Sequence, residues 1–71
     1  MTETAESHRN RGLAFHAQGQ LAQAIDSYLA ALALRPDYAE AHNNLGNALK
    51  DQGKAGEAMA CYQRALACRP D

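Results

Sequence analysis

The sequence predicts an all-α repeat protein: two helix-turn-helix hairpins whose four antiparallel helices stack as a short right-handed superhelical solenoid. The first observation behind this prediction is self-similarity. Each of residues 5–37 pairs with the residue 34 positions further on, and 16 of these 33 pairs are identical without a gap. A fixed period of about 20–50 residues is typical of solenoid arrays. The second observation is composition, because alanine is the commonest residue and Ile25 is the only valine or isoleucine, which favours helix over strand.

Glycine and proline mark the ends of the predicted helices, which is the third observation. Gly19 and Gly53 follow the first helix of each hairpin, where glycine suits a left-handed C-cap. Pro36 and Pro70 close the second helices, since proline cannot continue a helix. Turns of only two to four residues then require consecutive helices to be antiparallel. The helices are expected at residues 5–17, 21–34, 39–51 and 55–69, within a lead segment 1–4, a first repeat 5–38 and a second repeat 39–71.

Local spacing also predicts a helix start and the packing faces. Asp37, with Glu40 three residues later, is expected to be an N-cap with a capping-box partner at the third helix. Gly12 and Gly46, with alanines 24 and 58, are small residues expected where the two helices of each hairpin cross. The third helix has an apolar stripe at helical spacing, formed by Ala41, Leu45, Ala48 and Leu49.

Composition and charge narrow the possible functions. The net charge is −1, with 7 basic and 8 acidic residues interspersed, so nothing resembles the basic surface that binds nucleic acid. The sequence contains no apolar run long enough to span a membrane and no signal-peptide pattern. A cytoplasmic protein with neither nucleic acid nor membrane as a partner is therefore expected. Cys61 and Cys68 are seven positions apart, too far along one helix for a disulfide, and are expected to be small apolar packing residues.

Catalytic and metal chemistry find few candidates in the sequence. An active site needs a nucleophile or an acid–base pair that a third group orients. His8 and His42 recur at the same position of the repeat, which indicates a packing role, and His16 is expected to be solvated. A zinc site from the two cysteines and a histidine lacks the usual close ligand spacing. We therefore expect neither enzymatic activity nor a cofactor.

The repeated residues resemble the pattern of the tetratricopeptide repeat along residues 5–71. Two departures stand out. His8 and His42 occupy the position where that family often has a large aromatic residue, and Arg11 replaces the leucine before the glycine, so the first helix is expected to be the least securely packed. The matching residues are Leu45, Gly46, Leu49, Gly53, Ala58, Tyr62, Ala65 and Pro70, with Gly12, Phe15, Gly19, Ala24, Tyr28, Ala31 and Pro36 in the first copy.

Within that family, the sequence Ala-His-Asn-Asn-Leu-Gly-Asn-Ala is most similar to the repeats of O-GlcNAc transferase and its bacterial relatives. The resemblance implies that Asn10 and Asn44 face the inner surface and hold the backbone of an extended peptide. An amide side chain suits that role because it offers both a donor and an acceptor. A carboxylate clamp of the co-chaperone kind is not expected, since it needs three repeats. The predicted groove comprises Glu6, Arg9, Asn10, Leu13, Glu40, Asn43, Asn44, Asn47 and Lys50.

Two functions of different classes follow. The first is a non-catalytic interaction module that presents this amide-rich groove to an extended peptide or partner protein, as the N-terminal part of a longer array. The second is a structural unit that assembles with itself, by head-to-tail stacking or by exchange of helices through an uncapped end, because repeats bury their faces on the next repeat and Asp71 stands where it would cap a fifth helix. Its self-association edge would be Tyr62, Leu66 and Cys68. A third and weaker alternative is the substrate-selecting region of a glycosyltransferase.

Overall fold

Four α-helices make up the fold in a computed structural model that describes residues 3–69. The first three helices have the predicted bounds. The predicted end of the fourth at residue 69 is wrong, because Cys68 is already the C-cap and Arg69 precedes Pro70, a position where helical backbone is disfavoured. Between residues 3 and 69 no helix is both long and apolar enough to cross a membrane. The helices are α1 (Ala5–Ala17), α2 (Leu21–Leu34), α3 (Ala39–Asp51) and α4 (Ala55–Ala67).

The turns inside the two hairpins confirm the role predicted for their glycines. Gly19 has a φ of 77° and Gly53 a φ of 84°, a left-handed conformation that only glycine adopts without strain. The backbone N–H groups of Gly19 and Gly53 donate to the carbonyls of His16 and Lys50. These bonds close the ends of α1 and α3 and reverse the chain into the next helix.

The helix starts differ from the predicted capping. Thr4 caps α1 in a capping box with Ser7, each side chain bonding the other's backbone N–H at 3.0 Å. The prediction of Asp37 as the cap of α3 is wrong, because the N-cap is Tyr38 and no side chain caps that end. The ring of Tyr38 is buried between the repeats, so packing rather than a capping bond sets where α3 begins.

The hydrophobic core is centred on α3, which packs against both α2 and α4. All four residues of its predicted apolar stripe are buried, from Ala41 to Leu49. By contrast α1 buries only Ala5 and Gly12, in line with the weak packing expected of the first helix. Each repeat thus forms one hairpin, and α3 joins the two hairpins into a single stack.

Candidate functional site

The predicted groove residues lie on α1 and α3, the first helix of each repeat, and a contact between two of these residues links the helices directly. Nη1 of Arg9 on α1 is 3.6 Å from a carboxylate oxygen of Glu40 on α3. Asn10, Asn43, Leu13 and Lys50 are exposed, whereas Asn44 is half-buried.

Several of these groove residues belong to a charged cluster where the two repeats meet, and their side chains contact other residues of the chain. Arg35 donates a hydrogen bond to Glu6, and this bond holds the pKa of the Glu6 carboxyl below its ordinary value. The Arg35 guanidinium lies 4.3 Å from the centre of the Tyr38 ring, and that of Arg9 lies 5.7 Å away. Such cation–π contacts stabilise the ring between the two repeats. The Arg9–Glu40 pair therefore joins the two repeats directly, whereas Glu6 binds Arg35, which lies against the Tyr38 ring.

Of the three asparagine side chains on α3, one accepts a hydrogen bond from a side chain within residues 3–69 and the other two form none. Tyr62 donates its hydroxyl hydrogen to Oδ1 of Asn47 at 2.6 Å, so this amide positions α4. Asn43 and Asn44 form no side-chain hydrogen bond with any of residues 3–69, and the same holds for Asn10 on α1. Three of the predicted groove amides are thus available to a ligand.

His16 is not the solvated residue that was expected. Its Nε2 donates to Oδ2 of Asp51 at 2.7 Å, and its Nδ1 lies 3.4 Å from the hydroxyl of Tyr28. This chain of side chains connects α1, α2 and α3. At its inner end Tyr28 is fully buried, and burial raises the pKa of its phenol, whereas Asp51 at its outer end is exposed. The arrangement fits a link between repeats.

The two other histidines make contacts that suit the expected packing role. Nε2 of His42 donates to the carbonyl of Pro36 at 2.9 Å, which fastens the inter-repeat turn to α3. His8, its counterpart in the first repeat, instead lies 3.1 Å from Glu3. Across residues 3–69, no three His, Cys, Asp or Glu side chains cluster in a way that would hold a metal ion.

The predicted self-association edge coincides in part with a surface pocket at the outer end of the second repeat. Leu66 is 73% exposed, while Tyr62 and Cys68 are half-buried. Tyr62 and Leu66 line the pocket, and Cys68 does not. Asn43, assigned to the groove, also belongs here, and sequence reasoning missed two further residues. The pocket has a volume of about 260 Å³ and is lined by Asn43, Tyr62, Ala65, Leu66 and Arg69.

A second cavity of about 360 Å³ lies between α2 and α4, with α3 as its floor. Leu45 and Leu49 of α3 form part of its lining together with Ile25 and Leu29 of α2. Cys61, on the α4 side, is buried as expected of an apolar packing residue. Leu45, Leu49 and Cys61 were predicted as apolar packing residues, but the cavity itself was not anticipated from the sequence, because it forms between helices that are far apart along the chain.

Comparisons with known proteins point to one family. A family model described as "TPR repeat" matches residues 12–53, and one described as "Tetratricopeptide repeat" matches residues 39–71. No curated protein matches the sequence. Among solved structures, the crystal structure of MamA is similar with a TM-score of 0.86 and 25% identity, over 90% of this chain and 37% of that one. A mutant of MamA gives a TM-score of 0.91 at 25% identity, over 96% and 50% of the respective chains. The chain thus spans half the length of those structures or less.

Proposed function

Because the chain belongs to the tetratricopeptide repeat family, we propose that it is a non-catalytic interaction module that holds an extended peptide or partner protein along α1 and α3. Repeats of this family bind protein partners. The family match and the all-α stack support the general role. The extended peptide as ligand, and the groove as its site, are the specific parts of the proposal.

The observation that carries the proposal is the recurrence of free amides at one position of the repeat. Asn10 and Asn44 are 34 residues apart, on helices that the Arg9–Glu40 contact holds side by side. Neither side chain bonds any residue between 3 and 69. An amide pairs with a peptide group whatever side chains the peptide carries. Asn43 on α3 adds a third free amide.

The test is isothermal titration of unstructured peptides against the wild-type chain and the double variant Asn10→Ala/Asn44→Ala. We expect saturable binding that the double variant weakens by tenfold or more, about 1.4 kcal/mol. Gln23→Ala/Gln63→Ala is the matched control, since it removes two exposed amides from α2 and α4. Methylating the peptide backbone nitrogens should also weaken binding. Equal affinity of the double variant and the wild type would contradict the proposal.

The wider setting of the module is also a proposal. We place it in the cytoplasm, as part of a longer array of repeats. The likeness of Asn10 and Asn44 to O-GlcNAc transferase arrays, with the substrate-selecting role that it implies, stays a prediction, because the similar structures are those of MamA.

Self-assembly is the second candidate function, and the exposure of Leu66 favours it. Leu66 lines one pocket together with Tyr62 and Ala65, and a continuous apolar patch, unlike a single exposed side chain, marks an interaction surface. Sedimentation equilibrium of the wild type and of Leu66→Glu tests this candidate. A molecular mass that rises with concentration in the wild type alone would support it, and a monomer throughout would exclude it.

A further inference from the structure

Each repeat carries the same five-residue surface at its outer end, and only the first of the two surfaces is covered within residues 3–69. Position by position the two sets differ once, where Arg9 is replaced by Asn43. The first set is Ala5, Arg9, Ala31, Leu32 and Arg35, and the second is Ala39, Asn43, Ala65, Leu66 and Arg69.

In the first repeat the start of α3 covers this surface. Tyr38, only 5% exposed, packs in one cluster with Ala5 and Ala31, and Leu32 lies at its edge. The guanidinium of Arg35 stacks on the tyrosine ring. The molecule therefore shows directly which chemistry this surface accepts: the N-terminal end of a helix, with an aromatic residue as its N-cap.

In the second repeat all of this set except Ala39 line the pocket of about 260 Å³ at the outer end of the stack, together with Tyr62. Leu66 is 73% exposed, whereas its counterpart Leu32 is half-buried. Likewise Tyr62 is half-buried, whereas Tyr28 is fully buried. Arg69, the counterpart of Arg35, forms no ion pair with any of residues 3–69. The corresponding acid, Glu40, is held by Arg9 instead, so the Arg69 guanidinium is free to stack on an incoming ring.

We propose that this pocket, in the chain of residues 1–71, binds in trans a partner helix that begins with tyrosine or another aromatic residue, which is the kind of helix that a following repeat would supply within a longer array. By analogy with Tyr38, Ala41 and Leu45, the partner carries a small residue three positions after the aromatic one and a leucine seven positions after it. The aromatic ring enters the pocket and stacks on Arg69, and the apolar face of the partner helix covers Leu66. This site shares Asn43 with the amide groove but contains neither Asn10 nor Asn44, so variants of those two asparagines distinguish the two sites.

A second copy of the chain fits the pocket poorly. The free face that it offers is that of α1, where Thr4, Ser7 and Arg11 stand in place of Tyr38, Ala41 and Leu45. Stacking two copies would therefore place a hydroxyl in the aromatic site and a guanidinium over the exposed leucine. Arg11 is paired with Glu3 at 3.2 Å on the surface of the chain, and taking this exposed pair out of water in a stack of two copies is unfavourable. The aromatic partner is thus preferred over head-to-tail assembly.

The experiment titrates a synthetic peptide of residues 36–51, with blocked ends, into the ¹⁵N-labelled full chain and follows the amide resonances by NMR. We expect saturable shifts at Asn43, Leu66 and Arg69. A peptide of this length is mostly unfolded alone, so we expect a Kd between about 10 μM and 1 mM. Changing Tyr38→Ala in the peptide should weaken binding tenfold or more.

Two protein variants make the result specific to the pocket. Leu66→Glu should abolish binding, while Met59→Glu, at a position on α4 that is 61% exposed and outside the pocket, should leave it unchanged. Asn10→Ala/Asn44→Ala should also have no effect, which separates this site from the groove. The proposal is overturned if no saturable shifts occur up to about 1 mM peptide. It is also overturned if binding survives both Leu66→Glu in the protein and Tyr38→Ala in the peptide. A third contrary result would be shifts at Leu66 that depend on protein concentration in the absence of peptide.

Discussion

The ring of Tyr28 lies directly against the backbone of Gly12. A Cβ placed on this glycine would be 2.5 Å from Cε1 of the tyrosine, closer than such atoms approach in proteins. The second repeat has the same pair, with Gly46 at 2.7 Å from Cε1 of Tyr62. The first helix of each hairpin therefore has glycine at this position because the second helix places a tyrosine ring there. Ala24 and Ala58, the small residues expected with these glycines where the helices cross, are both buried.

Gly12→Ala should destabilise the fold by about 1–2 kcal/mol. Overpacking a core costs about 1–3 kcal/mol, and the better helix propensity of alanine returns up to about 1 kcal/mol. Gly46→Ala should cost less, because Tyr62 is half-buried and its ring has room to move. Chemical denaturation followed by circular dichroism measures both. Gly56→Ala, where the added Cβ meets no atom within 4 Å, is the control and should be neutral or stabilising. A Gly12→Ala variant as stable as this control would contradict the argument.

His16→Leu should lower the free energy of unfolding by about 1–2 kcal/mol. The leucine keeps Tyr28 covered but removes the only side chain between residues 3 and 69 that bonds its hydroxyl, and a buried polar group without a partner costs about 1–3 kcal/mol. Asp51→Asn should cost less than about 1 kcal/mol, since it weakens a partly exposed pair. Thermal or urea denaturation measures both changes. His16→Gln, which retains a hydrogen-bonding group, should lie closer to the wild type, and equal losses for the leucine and glutamine variants would count against this role.

Glu6 should make the stability depend on pH at the acid end. Its hydrogen bond from Arg35 lowers the pKa of the folded carboxyl below the ordinary 4.5. The resulting stabilisation is present above the pKa of the unfolded chain and is lost as the pH falls through the lower pKa of the folded state. Glu6→Gln should therefore be less stable than the wild type at neutral pH, with the difference vanishing in strong acid. Urea denaturation at a series of pH values measures this. Glu57→Gln, which removes an exposed carboxyl that has no ion pair within residues 3–69, should show no such convergence.

The two thiols should react at very different rates. Cys61 is buried, and burial raises the pKa of its thiol, which lowers the reactive thiolate fraction. Cys68 is half-exposed just beyond the last residue of α4. Ellman's reagent at neutral pH should give one fast and one slow phase. Cys68→Ser should remove the fast phase and Cys61→Ser the slow one. A single phase that accounts for both thiols in the wild type would show that Cys61 is more exposed than it is in the structure.

Local signals in the sequence predicted most of the helical framework. The starts of all four helices and the left-handed glycines follow from short-range rules of spacing and backbone conformation. The missed features depend on residues far apart in the chain. Asp37 has the side chain of an N-cap, yet the buried Tyr38 ring decides where α3 begins. His16 is unremarkable until the fold brings it beside Asp51, 35 positions later.

The groove was predicted only in part for the same reason. Amides at one repeat position were visible in the sequence, but their hydrogen bonds were not. Asn47 differs from Asn44 only because the Tyr62 hydroxyl reaches it. Glu6 and Arg9 have suitable side chains for a ligand, yet they bind Arg35 and Glu40. In the pocket at the outer end, Tyr62 and Leu66 were predicted as part of an exposed edge. Ala65 and Arg69 were missed, although aligning the repeats maps them onto Ala31 and Arg35, which contact Tyr38.

The His16–Asp51 bond makes the contact between the two repeats asymmetric, because the first repeat supplies the histidine and the second supplies the aspartate. Lys50 occupies the place of His16 in the second repeat, and Ala17 that of Asp51 in the first. Tandem duplication of the second repeat would set Lys50 against the aspartate of the following copy, so every new joint would keep opposite charges. Duplication of the first repeat would set His16 against an alanine. Copies of the second repeat can therefore follow one another with an oppositely charged pair at each contact between repeats. Copies of the first repeat would lack this pair, so the first repeat is suited to stand before the second.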